Sequence, residues 1–132
     1  MSRKSKGISY ERELIHLFWG TKEWAAVRVA GSGNTQYPSA DVLAGNALRK
    51  LVIECKSVKN ESVYIPKEDI DQLQTFAKLF GAEPWIAVRF AKTAWHFMSM
   101  ENLELTERCA VITTENIKLK GLLFNEVIGK FE

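Results

Sequence analysis

The segment 41–57, DVLAGNALRKLVIECKS, constrains the fold more than any other part of the chain. DVLAG and ALRKLVIECKS read as two extended runs separated by the turn-like pair Gly45-Asn46, the spacing of a β-hairpin. VLAG and LVI are apolar and belong to a core, yet the second run ends on Glu54-Cys55-Lys56. Side chains alternate along a strand, so Glu54 and Lys56 share one face and Cys55 takes the other. Charges at the end of a core strand are costly unless they are paired or bound to a metal. An ion pair at a strand end would account for this tripeptide taken alone.

Asp41 widens the choice. It opens the first run after Pro38-Ser39-Ala40, and twelve residues separate it from Glu54, enough for two paired strands and a turn. Both carboxylates can then stand at the open end of the hairpin, within reach of one ion. Two hard side-chain oxygens and a backbone carbonyl, such as that of Cys55, suit an octahedral Mg²⁺ that keeps several waters, with Mn²⁺ as a substitute. No His or Cys cluster favours zinc. Such an ion lowers the pKa of a bound water, and Lys56 is placed to orient or help deprotonate that water for in-line attack on a phosphodiester.

The rest of the chain predicts what surrounds this hairpin. At 132 residues and 46% hydrophobic, residues 1–132 are expected to form a single domain with a sizeable core. Helices are expected over 9–19, with Ser9 as N-cap and Glu11 and Glu13 in the first turn, and after Pro66, with Ile70, Leu73, Phe76, Ala77 and Phe80 on one face and Gly81 as the stop. WAAVRVA, VYI, PWIAVRF and AWHFMSM read as strands, GSGNTQYPS as a loop and LLFNEVIGKF as a short helix. The expected class is α/β, a central mixed sheet of five or more strands flanked by helices.

Charge is split along the chain. Residues 1–60 hold ten Lys and Arg against five Asp and Glu, and residues 61–132 hold eight against eleven, so an anion-binding face should come from the first half. Two cysteines without a CxxC pair, no long apolar run and no apolar leader predict a cytoplasmic protein with reduced thiols and no membrane association. His16 and His96 read as packing or hydrogen-bonding residues, and Trp85, Trp95, Phe97 and Met98 as core or interface.

Asp41 and Glu54-Cys55-Lys56, together with KGISYERELIHLF, VRVAGSG, SADVLAG and LFGAEPWIAVRF in this order, resemble the archaeal Holliday-junction resolvases of the PD-(D/E)xK nuclease superfamily over almost the full length. One departure is that Ala40 precedes Asp41, with the proline moved back to Pro38. The resemblance implies a restriction-endonuclease-like nuclease fold and paired, metal-dependent nicks in opposing strands of a four-way DNA junction during recombination and repair. It implies catalytic roles for Glu11, Asp41, Glu54, Lys56 and Ser32, with Glu11, Asp41, Glu54 and Cys55 at the metal. It implies DNA contacts from Arg12, Arg28 and Ser32, to which Lys4, Lys6, Lys50 and Lys59 add positive charge near the site and Gln72 adds a weak supporting role.

A junction cut symmetrically calls for two copies of so small a chain, hence a homodimer, for which the second helix and the strands carrying Trp85 and Trp95 are candidate surfaces. No motif specifies a sliding-clamp or helicase partner. Rival readings are a PD-(D/E)xK endonuclease of restriction, repair or RecB-like type, and a non-catalytic junction binder.

Overall fold

The computed structural model describes residues 3–30 and 37–130, those before Ser9 by backbone alone. The expected mixed sheet is present, with six strands in the order β1-β2-β3-β5-β6-β9. These are β1 (Ala25–Arg28), β2 (Val42–Gly45), β3 (Lys50–Val58), β5 (Glu83–Phe90), β6 (His96–Ser99) and β9 (Leu122–Leu123). β2 and β3 are the predicted hairpin, paired antiparallel from Val42↔Ile53 to Gly45↔Lys50. Asn46 shapes its turn, its side-chain oxygen accepting from the backbone N–H of Leu48 and Arg49 at 2.9 and 2.7 Å.

β3 and β5 are parallel, and Leu51, Val52 and Ile53 are buried on both faces, which is why this strand reads as a continuous apolar run. α2 (Lys67–Phe80) makes the crossover between them; Pro66 precedes it and Gly81 ends it in the left-handed region at φ 75°. α2 packs Ile70, Leu73 and Ala77 onto the face that carries Val52 and Ile86. On the opposite face α1 (Arg3–Gly20) buries Leu14 and Phe18 against Val42, Leu51, Ile53 and Phe97, beside α4 (Phe124–Val127).

α1 begins well before Ser9, so Ser9 lies inside the helix and is not its cap, and no acidic residue occupies the first turn. Glu11 therefore stands in the third turn, beyond the reach of the N-terminal dipole, and charge compensation does not explain it.

A second sheet was not legible. β4 (Ser62–Pro66) leaves the main sheet and pairs with β8 (Cys109–Thr113), which pairs in turn with β7 (Glu104–Leu105), and α3 (Thr114–Lys120) follows, capped by Thr113. The layer covers the α2 side of the core through Val63, Ile65, Ala110 and Ile112. Trp95, Phe97, Met98 and Leu73 are all buried within the chain, so Trp95 and Leu73 cannot supply a surface to a second copy. Cys55 and Cys109 are unpaired, and no helix among the described residues is long and apolar enough to cross a membrane.

Candidate active site

The ladder between β1, β2 and β3 continues one residue beyond β2. Asp41 donates its backbone N–H to the Ile53 carbonyl at 3.0 Å and accepts from the Val29 N–H at 2.8 Å. Asp41 thus sits at the hairpin's open end, as its spacing from Glu54 required. Its Oδ2 accepts the backbone N–H of Cys55 at 2.9 Å. The N–H and C=O of a strand residue point the same way, so the Cys55 carbonyl aims toward this same gap.

Glu54 and Lys56 lie on the α2 face, as alternation demands, 3.6 Å apart, while the Cys55 side chain packs toward α1. Glu54 also shares a hydrogen bond with Asp41. Burial first, then the negative charge of Asp41, hold the Glu54 carboxyl well above its ordinary range, and the Lys56 ammonium opposes them. Asp69, in the first turn of α2, adds a further repulsion. Its position is set by the crossover, and in sequence it reads only as an ordinary helix-start acid.

Glu11 approaches from α1. Its carboxyl is pushed up to about 7 by burial and by Asp41, against the pull of Arg28, whose guanidinium is 3.8 Å away. Burial likewise raises the Cys55 thiol, so the backbone oxygen and not the sulfur is the donor Cys55 offers here. Among the described residues no three His, Cys, Asp or Glu side chains converge into a ready metal cluster. The assembled unit is the Asp41–Glu54 pair with the Cys55 backbone, and Glu11 stands farther back. That donor set fits a hard divalent cation: the two carboxyls, partly desolvated, share a hydrogen bond while one is protonated, and once both are ionised a positive charge between them offsets their repulsion.

Arg28, the last residue of β1, faces Glu11 of α1, and Arg12 is exposed on α1. Lys50 belongs to the opposite end of β3, across from Gly45, so it is not near the site as expected. Lys59 and Gln72 are exposed, the latter one turn beyond Asp69. Ser32 and the side chains of Lys4 and Lys6 lie outside the described residues. His16 is exposed on α1 and does not pack into the core; the His96 Nδ1 is 3.0 Å from the Ala94 carbonyl oxygen.

Residues 2–132 match the family described as archaeal Holliday junction resolvase (hjc). The crossover junction endodeoxyribonuclease Hjc of Archaeoglobus fulgidus is 41% identical over 128 residues, covering 97% of this chain and 93% of that protein. That of Methanocaldococcus jannaschii is 37% identical over 126 residues, covering 95% and 88%. The solved structure of Archaeoglobus fulgidus Hjc, a Holliday junction resolvase, superposes with a TM-score of 0.86 at 38% identity, covering 92% of this chain and 97% of that one. The six-stranded mixed sheet with its flanking helices is thus the restriction-endonuclease-like fold, and the chain belongs to the archaeal Holliday junction resolvase (Hjc) family.

Proposed function

We propose that this chain, a single nuclease unit of the cytoplasm, is a crossover junction endonuclease that resolves four-way DNA junctions by paired Mg²⁺-dependent nicks in opposing strands. The observation that carries the reading is the pairing of Asp41 and Glu54 over the Cys55 N–H, with Lys56 beside them. Asp41, Glu54 and the Cys55 carbonyl would hold Mg²⁺ or Mn²⁺, with Glu11 closing on it. When bound, the ion supplies Lewis acidity and a more acidic water. Lys56, 3.6 Å from Glu54, would orient the attacking water or help remove its proton. Arg28 and Arg12 grip the flanking phosphates, for which a guanidinium fork is well shaped. Ser32, on the segment joining β1 to β2, is assigned to the DNA side of the same site, and Lys4 and Lys6 to the approach of the backbone.

Size and an uncovered face support a homodimer. A chain of this length has a radius of gyration of about 14 Å, too small to reach two opposing strands at a junction. Val27 on β1 is 55% exposed, and Leu79 and Phe80 at the end of α2 are 82% and 50% exposed. Phe76 stacks on Phe80 at 5.3 Å, and Leu43 with Val27 floors a groove against Phe80. Val27, Leu79 and Phe80, beside Phe76 and Leu43 at the margin of the core, present apolar surface suited to a two-fold contact with a second copy.

The test is strand cleavage with Mg²⁺ on an immobile four-way junction beside a linear duplex of the same sequence. Symmetric nicks confined to the junction support the proposal. Cleavage of both substrates would assign a general PD-(D/E)xK endonuclease, and cleavage of neither a non-catalytic junction binder.

A further inference from the structure

α1 carries two carboxylates on opposite flanks. Glu11 and Glu13 are two residues apart, about 200° around the helix axis, with Leu14 buried beneath them. Glu11 faces Asp41 and Arg28, whereas Glu13 faces the other edge of the sheet. There its Oε1 accepts from the Nε of Arg89 at 2.8 Å and from the indole Nε1 of Trp95 at 2.9 Å. The Arg89 guanidinium also lies over the ring of Tyr10, 5.2 Å from its centroid, so one arginine grips α1 at two positions a turn apart.

Arg89 is well placed to act as a reference point. It stands on β5 opposite Ser57 in the parallel register, one residue beyond the Lys56↔Val88 pair, at the level of the site. On the Glu11 flank the ion pair with Arg28 spans 3.8 Å, past hydrogen-bonding distance, and the directional tie on that side lies two turns farther along, where the Trp19 indole Nε1 donates to the Ala26 carbonyl at 2.9 Å. Close packing of Leu14 and Phe18 limits rolling, and at the level of Glu11 the ties of Glu13 and Tyr10 to Arg89 are the nearest directional constraints. A roll of about 10° moves a carboxylate at the 5–6 Å outer radius of a helix by about 1 Å, and a displacement of about 1 Å at a reacting centre costs on the order of 10²-fold in rate.

We propose that Glu13, gripped by Arg89 and Trp95, is a positioning residue that sets the roll of α1 and so places Glu11 against Asp41. The inference rests on the metal-site reading above and deepens it. Glu13 touches neither substrate nor ion; it acts through Glu11.

The test compares the full-length protein with Glu13→Gln, which keeps an acceptor for Trp95 but removes the charge that holds Arg89, and with Asp41→Asn. Single-turnover junction cleavage is titrated with Mg²⁺, Mn²⁺ binding is followed by electron paramagnetic resonance, and thermal midpoints are recorded. Glu13→Gln is expected to lower the saturated rate on the order of tenfold, weaken Mn²⁺ binding and leave junction affinity unchanged. Should Glu13→Gln fail to fold, Arg89→Lys, which keeps a cation but loses the fork and the stacking on Tyr10, is expected to shift the same readouts in the same direction. Wild-type rate and Mn²⁺ binding in Glu13→Gln, with both lost in Asp41→Asn, would overturn the positioning role and leave the site standing. A lowered thermal midpoint with unchanged Mn²⁺ binding would also overturn it. Undisturbed Mn²⁺ binding in Asp41→Asn would instead overturn the metal-site reading.

Discussion

The backbone N–H of Cys55 donates to the Oδ2 of Asp41 at 2.9 Å, so the residue ahead of one strand is locked by its side chain to the end of the next. This bond occupies one carboxylate oxygen and turns Asp41 toward Glu54. Two acids placed in this way are worth their mutual repulsion only if a cation joins them.

Removing either acid separates chemistry from binding. Asp41→Asn and Glu54→Gln are expected to lower the single-turnover rate on the order of 10³-fold or more, while junction affinity, measured by gel shift in Ca²⁺, stays level or rises because a negative charge facing phosphate has gone. Lys56→Ala is expected to slow the chemical step with only a modest loss of affinity. Normal turnover in Asp41→Asn or Glu54→Gln would sink the site assignment.

The raised carboxyl of Glu11 makes metal-free stability fall with pH. Its folded-state value of about 7 lies above the ordinary 4.5, so its stabilising contribution is complete below 4.5 and lost as pH climbs through 7. Measured by urea unfolding in EDTA, the wild type is expected to lose about 1–2 kcal/mol relative to Glu11→Gln between pH 4.5 and pH 8, the shift being reduced by solvent screening of a partly exposed group. Mg²⁺ favours the ionised form, so its stabilisation should grow over the same window, with proton release visible by calorimetry in buffers of different ionisation enthalpy. A pH-independent difference between the two proteins would contradict the shift.

DNA affinity is expected to be electrostatic and independent of base sequence. The logarithm of the association constant should fall linearly with the logarithm of salt, at a slope near −0.9 per phosphate neutralised. Arg28→Ala is expected to make the slope shallower by about one unit, equally for junctions of different sequence. A flat slope would refute a phosphate-tracking face.

Gly121 is required for steric reasons. A Cβ there would meet the Ile117 carbonyl oxygen at 2.5 Å and its Cγ1 at 2.7 Å, although the backbone itself, at φ −80°, suits any residue. Gly121→Ala is expected to cost about 1–3 kcal/mol of stability, read as a lower thermal midpoint with the metal response unchanged.

Elements whose signal is local were legible in the chain. The β2–β3 hairpin, α2 with its Pro66 start and Gly81 stop, and the opposite faces of Glu54 and Cys55 all follow from alternation, helical period and turn chemistry, which neighbouring residues carry among themselves. The spacing from Asp41 to Glu54 belongs with them, because a hairpin converts sequence distance into proximity. The start of α1 was misjudged because Ser9 is as acceptable inside a helix as at its cap, and the second sheet was missed because β7 is only two residues long and β4 finds its partner β8 more than forty positions along the chain.

Contacts between distant elements had no such local trace. That Asp69 faces Glu54, that Glu13 meets Arg89 and Trp95 across some eighty positions, and that Lys50 stands at the wrong end of β3 depend on how α1, α2 and the sheet are stacked. Period and turn chemistry state what each segment is. Which side chains finally meet is settled by burying apolar area between segments, a non-directional force that sums over the whole core and is written in no single stretch of it.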